Sequence, residues 1–582
     1  MNRKQIILIG LFSVALSGHG FVPTFTSTGG LRRWDLVTLP SSVGTNIVNR
    51  NTRAIRYFLA SDGWSSTNTA AELNAVRASF AQWQAIPNTI LKFEDAGLVA
   101  PGVDVNTSDG TNAVYWAKTS TVVNGGHSDI SGALGVTFVS FFTDGTHAQG
   151  DIVFNGVQFN WFTDFTNLTN AAQYIEGTAL HEIGHFIGLS HSPLGGASLL
   201  YTGAHGIDSE AGLSSDEICA ARFIYPQTNQ VALRGTLRGQ VTKNGTNILG
   251  AVVTVEDPSG MMIAGTVTRS TGTYELSALT PGNFQVRVTP LDPAAATEYL
   301  VKGSFISSDY NAAETRFLPT TNFPVTLQAG VTNTLNFAVI DAQPAFRISN
   351  VRDATTNAGS FSWAPLPTRV RQGQSNITVG VASSSLPSNG VTLTITGDGI
   401  TAGATTFRTN AFSTGLNFIS QLISVSSNAT PGLRSFIVQQ GTNLAYANGF
   451  FDLLPAQPDY NYDGLDDNFQ RQYFGLFTGP QAAPGVDAEG DGFSNSAEYV
   501  AGTVPTNAAS LLKIDQVTQS GSSATVTCRT VPGKRYQLLS RPLVESGTWQ
   551  AVGIPVQAIA ATTALLDPLA TGARFYRVQV LP

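Results

Sequence analysis

Cysteine is scarce in this chain, with Cys219 and Cys528 the only two in 582 residues. A framework of disulfides is therefore excluded, and stability must come from buried surface or bound ions. Charge is scarce too. Charged residues make up 12% of the sequence and the formal net charge is −7, which argues against nucleic acid or an anionic membrane as a partner. Beyond the first residues no apolar run approaches the roughly 20 positions that a transmembrane helix needs.

Turn-forming and β-forming residues are plentiful. Fifty-eight glycines, with abundant Thr, Ser, Asn and Val, predict β-rich modules joined by many turns. The N-terminus reads differently. Met1 to Lys4 is basic, Ile6 to Leu16 is an apolar run too short to span a bilayer, and Ala15-Leu-Ser17 has the small-x-small form of a cleavage site. Residues 1–20 are therefore expected to be a signal peptide, and the product to be secreted and extracellular.

One stretch demands a particular chemistry. Residues 181 to 191 read His-Glu-Ile-Gly-His-Phe-Ile-Gly-Leu-Ser-His. On a helix, His181 and His185 project from one face and can reach a single ion. Gly188 lets the chain leave the helix by a left-handed turn and bring His191 to the same ion. Three neutral imidazoles leave one tetrahedral position open. Zn²⁺ suits such a donor set, and Glu182 is placed to act as general base on water at the open position. The proline-free segment Ala171 to Ile187 predicts the helix this requires, with Tyr174, Thr178, His181 and His185 along one stripe.

With Gly188 and His191 in register, the motif is similar to that of the metzincin metallopeptidases, and residues 33 to 226 most resemble the matrixins, of the secreted prokaryotic type. The resemblance rests also on a strand predicted over 54–60, a helix opened by the capping box Thr69-Ala-Ala-Glu72, and apolar Leu73, Val76, Phe80 and Trp83 at helical spacing. Further strands are predicted over 90–94, 113–118 and 135–142. Gly150-Asp-Ile-Val-Phe-Asn155 resembles the family's edge strand, and Leu213-Ser-Ser-Asp216-Glu217 opens its closing helix. The resemblance implies an α+β domain over 21–226, a mixed sheet flanked by helices, with peptide added along the sheet edge.

Departures from the family pattern are informative. Ala197-Ser-Leu-Leu-Tyr201 offers Leu199 or Leu200 where the family has a methionine beneath the zinc, a nearly volume-conserving exchange. If Leu199 matches, Tyr201 is placed to approach the zinc; if Leu200 matches, Tyr201 lines the substrate pocket. No cysteine precedes the motif, so the family's propeptide cysteine switch has no counterpart. A second, structural zinc is poorly supported, because His127, His147 and His205, with Asp151, lack recognisable ligand spacing, and most of these histidines are expected at the surface.

After Pro226 the text becomes short strands. Gly272-Thr-Tyr-Glu-Leu276 and Pro281-Gly-Asn-Phe-Gln-Val286 resemble the skeleton of the carboxypeptidase regulatory-like β-sandwich over 233–340. Alternating strands over 345–455 predict an immunoglobulin-like β-sandwich. Residues 511–582 predict a small C-terminal β-domain, and Cys219 and Cys528 are expected to be buried thiols.

Between these lie two acidic loops over 456–510. Asp487-Ala-Glu489-Gly-Asp491-Gly-Phe493-Ser-Asn495-Ser-Ala-Glu498 satisfies a twelve-residue calcium loop except for Glu at its third position. Asp459, Asn461, Asp463 and Asp467 repeat the front of that pattern, but the repeat ends in Gln470 and is expected to bind Ca²⁺ more weakly. The pair is similar to dockerin and thrombospondin type 3 repeats, which implies structural Ca²⁺.

The sequence thus points to a secreted, multidomain zinc endopeptidase acting on a protein or peptide. Its all-β modules would serve an extracellular polysaccharide or surface protein. The competing reading is a non-catalytic, calcium-stapled adhesive or scaffold protein carrying an inactive metallopeptidase-like domain.

Overall fold

A computed structural model describes residues 23–26, 29–163, 172–195, 212–291, 313–352, 363–364, 367–410, 415–459, 461–543, 547–570 and 572–581. The expected signal peptide and Leu199, Leu200, Tyr201 and His205 lie outside the described residues. The chain divides into two compact units, Met1–Ala456 and Gln457–Pro582. Among the described residues no helix is long and apolar enough to cross a membrane.

The first unit opens on a five-stranded sheet. In spatial order its strands are Phe93–Val99, Ile55–Ala60, Ala113–Ala117, His147–Asn155 and Gly135–Phe141. The first three pairings are parallel, and the last, between His147–Asn155 and Gly135–Phe141, is antiparallel. Gly150–Asn155 is therefore not the edge strand. Its Val153 and Phe154 are fully buried, as a strand paired on both sides and covered by helices must be, and the edge on that side is Gly135–Phe141.

Helix α1 (Thr69–Ala85) and helix α2 (Ile175–Phe186) pack on this sheet. Trp83 joins them by donating its indole N–H to the Leu180 carbonyl at 3.0 Å. The expected capping box of α1 does not form. Glu72 turns away to accept from the amides of Trp64 and Ser65, while Thr69 donates to the Ser65 carbonyl. Helix α2 also starts later than expected, because Ala172–Tyr174 is drawn into a parallel pairing with Asn160–Phe162. Helix α3 (Ser215–Ile224) does carry a capping box, Ser214 with Glu217.

A sandwich follows directly. A five-stranded sheet centred on Gly235–Lys243 faces a four-stranded sheet containing Val252–Glu256, Met262–Val267, Gly282–Thr289 and Phe323–Leu327. One continuous apolar core runs from Trp34 through α1, α2 and α3 into this sandwich and reaches Val339. Residues 345–456 contribute a six-stranded and a four-stranded sheet about their own core, which includes Val379, Ile419, Phe436 and Phe451.

The second unit begins with two short helices, Asp467–Phe474 and Asn495–Ala501. Two three-stranded sheets then enclose Val526, Cys528, Tyr536 and Leu538. Both cysteines of the chain are buried and unbridged.

Candidate metal centre

Helix α2 is helical because its twelve residues lack proline and are buried on nearly every side, so backbone groups must be satisfied within the segment. Its C-terminal carbonyls are met from outside. The Trp34 indole donates to the Phe186 carbonyl at 2.8 Å, and the Tyr225 hydroxyl donates to the Ile187 carbonyl at 2.8 Å. Gly188 then turns the chain at φ +107°, where a Cβ would stand 2.2 Å from the Arg32 carbonyl oxygen. Only glycine fits there, for both conformation and space.

That turn brings the three imidazoles together. Nitrogens of His181, His185 and His191 all lie within 4.8 Å of one another. The Leu189 carbonyl, 2.8 Å from His185 Nδ1, can only accept, so Nδ1 carries the proton and Nε2 presents its lone pair. That Nε2 faces His181 Nε2 at 3.1 Å. Two Zn–N bonds of roughly 2.0–2.1 Å at a tetrahedral angle would hold their nitrogens about 3.3–3.4 Å apart. The donor set therefore fits a small divalent cation. Burial lowers the pKa of His185, and it lowers that of His191 further, with the other two imidazoles adding to the effect. The neutral, ligating form is favoured.

Glu182 is buried beside this cluster. Burial raises its carboxyl to about 7, and a hydrogen bond from the Thr137 hydroxyl, 2.7 Å from Oε2, pulls in the opposite direction. Thr137 lies on the edge strand, as does Gly135, whose added Cβ would fall 2.9 Å from Glu182 Cγ. A carboxyl near neutrality can both take and return a proton. Thr137, Gly135 and Trp34 belong to no short motif, and the sequence did not mark them for this role.

The remaining candidates sort differently. His127 is exposed. His147 is not a surface residue: it is buried edge-on against Trp34, and burial, with Arg32 nearby, lowers its pKa to about 3. Asp151 is buried as well, accepting from the amides of Asn106 and Ala113.

In the second unit, Glu489, Asp491 and Glu498 converge, with carboxylate oxygens within 4.8 Å of one another. Both Oε atoms of Glu489 and of Glu498 and Oδ2 of Asp491 are buried, with the Thr503 side chain beside Glu498. Burial, with Glu489 and Asp491 alongside, holds the Glu498 carboxyl above its usual range. Asp487 instead accepts from the amides of Gly490, Asp491 and Gly492, shaping the loop that contains Phe493. Asn495 donates its amide to the carbonyls of Gln481 and Ala483.

The preceding loop is closed by protein donors. Asp459 accepts from the amides of Asp463 and Gly464, while Asn461 and Gln470 both donate to Asp463 Oδ2, at 3.0 and 2.8 Å. Asp467 is buried at the start of its helix. Among the described residues this loop gathers no three-carboxylate cluster.

A mixed sheet with an antiparallel edge, two helices behind it and three histidines at the end of the second define a metallopeptidase-like domain. Residues 49–226 match the Matrixin family, and residues 236–340 match the Carboxypeptidase regulatory-like domain. The chain is 27% identical over 257 residues to karilysin of Tannerella forsythia, an alignment covering 41% of this chain and 48% of that protein. It thus spans about half the length of that curated relative. The major pilin subunit of Bacillus cereus is 8% identical, covering 60% of this chain and 88% of its own, with a TM-score of 0.15. The FN1-FN3 domains of chicken CNTN1 are 10% identical, covering 58% and 86%, with a TM-score of 0.13. Neither structural likeness carries an argument. The chain therefore carries a matrixin domain, of a zinc-dependent metallopeptidase family, followed by a β-sandwich of the regulatory-like type.

Proposed function

We propose that this protein is a secreted zinc-dependent endopeptidase, with His181, His185 and His191 as the metal ligands and Glu182 as the general base. The observation that carries the reading is the geometry at His185: Nδ1 lies 2.8 Å from the Leu189 carbonyl, which calls for a proton there, and Nε2 faces His181 Nε2 at 3.1 Å. When bound at such a site, zinc supplies Lewis acidity, acidifying water to a pKa of about 7 and polarising a carbonyl.

The chain's own residues supply the rest. A peptide strand adds to the free edge of Gly135–Phe141, where backbone amides and carbonyls hold it and align one peptide bond with the histidine cluster. Glu182, oriented by Thr137, takes a proton from water and delivers it to the departing amine. The competing, non-catalytic reading is disfavoured because Glu182 is present and its carboxyl sits near 7.

Hydrolysis of a denatured protein by wild type and Glu182→Gln, each with and without a zinc chelator, tests the reading. Glu182→Gln should retain stoichiometric zinc yet lose about 10²–10⁴-fold in kcat. Equal cleavage by the two variants would remove Glu182 from its role.

The second acidic loop is proposed to bind Ca²⁺ through Glu489, Asp491 and Glu498, on a loop framed by Asp487. The all-β modules are assigned to contact with an extracellular polysaccharide or surface protein.

A further inference from the structure

We infer that the two sandwiches after the matrixin domain are part of the metal site's support, positioning His191 through the segment Ser192–Gly195. The inference rests on the reading of His191 as a metal ligand. Leu194 lies three positions after His191, a reach of about 11 Å at most, and the tether is stiff. Pro193 fixes its own φ and restricts Ser192. Ser192 donates its hydroxyl to Asp216 Oδ2 at 2.8 Å and accepts from the Leu194 amide at 3.2 Å. A displacement at Leu194 therefore reaches the imidazole.

Leu194 is held by both sandwiches at once. It is fully buried in a cluster with Met262, from the first sandwich, and Leu433, from the second. Asp216 Oδ1 accepts from the Gly265 amide at 2.9 Å, and Ser215 donates to the Met262 carbonyl at 2.8 Å, so α3 is bound to the same strand. The Gly195 amide donates to the Asn448 carbonyl at 3.0 Å. The side chain of Asn448 accepts from Arg287 Nη2 at 3.1 Å and donates to Thr289 at 3.0 Å. Arg287 is itself locked in a buried two-point pair with Glu256, at 2.6 and 3.0 Å. Such a network has little freedom, because breaking any member leaves a buried charge or amide uncompensated.

The approach is also too close for side chains. A Cβ on Gly195 would stand 2.3 Å from the Phe450 ring, and one on Gly265 would stand 2.7 Å from Leu194 Cδ2. Glycines on both sides of a junction, each occupied by the other module's side chain, indicate a fixed seat.

Gly265→Val in the full chain tests this. Gly265 lies in the strand Met262–Val267, where valine is a good strand former, but its methyls would push Leu194 out of its seat. Zinc affinity, read by competition with a chromogenic chelator, should weaken about 10- to 100-fold, as for loss of a group that orients a ligand. The visible absorption of the Co²⁺-loaded protein should shift from the wild-type spectrum. Leu194→Ala added to Gly265→Val makes room for the valine and should restore both readouts. Wild-type zinc affinity and an unchanged cobalt spectrum in Gly265→Val would overturn the inference, as would a double variant that recovers neither. Wild type that takes up no zinc in the same titration would instead sink the endopeptidase reading.

Discussion

Gly188, His147 and Thr137 show three ways in which a single residue serves the centre without touching a metal. Gly188 supplies a backbone conformation, Thr137 an oriented hydroxyl, and His147 a neutral ring packed under Trp34. The His147 environment predicts acid sensitivity. Its folded pKa of about 3 lies below the ordinary 6.5, so the unfolded chain binds the proton more readily. The stabilisation is complete above pH 6.5 and is lost as pH falls toward 3. Urea unfolding of wild type and His147→Gln at pH 7 and pH 4.5 should show a smaller loss in the variant, and parallel losses would contradict the assignment. The three histidines and Glu182 were legible in the sequence because their chemistry requires fixed spacing on one helix. Thr137 and Gly135 were not, since they reach Glu182 from a strand about 45 residues earlier and pairing across a fold leaves no local signature.

At the scale of the element, the fate of each end explains where sequence reading succeeds. Ser214 and Glu217 close their own box, whereas Glu72 is claimed by the amides of Trp64 and Ser65. Local pattern names a cap; tertiary amides can outbid it. The same logic displaced the expected edge strand. Gly150–Asn155 and Gly135–Phe141 both read as strands, but order in a sheet depends on pairing partners, and among the described residues only the latter of the two pairs on a single side. The turn ending α2 gives a sharper test. Gly188→Ala would place a side chain at positive φ and against the Arg32 carbonyl, costing about 1–3 kcal/mol from backbone strain alone. Calorimetry should register a melting temperature several degrees lower, and an unchanged melt would show that the turn can relax.

For the molecule as a whole, composition predicts many β-modules, and the described residues do form several separate sheets. What the modules do to one another was not readable. The seat of Leu194 joins residues more than 200 positions apart, and a leucine in a loop carries no mark of its eventual neighbours. The second unit makes its own prediction. The buried carboxylate oxygens of Glu489, Asp491 and Glu498 crowd together, and a bound cation would offset their mutual repulsion. Removing Ca²⁺ from the full chain should lower the melting transition of the 457–582 unit and leave that of the first unit in place. Glu498→Gln should abolish the Ca²⁺ dependence, while Gln470→Ala should not, because the loop closed by Gln470 already satisfies Asp463 with protein donors. A melt indifferent to chelation would remove Ca²⁺ from that site.

The enclosed thiols have a practical corollary for labelling this protein. Because Cys219 and Cys528 are both sealed inside cores, and burial lifts Cys219 to about 12, native protein should be nearly silent toward maleimide reagents. A cysteine introduced on the Gly135–Phe141 edge would then be a lone attachment point for a fluorophore, free of background from the parent chain, and would test whether a peptide docks there.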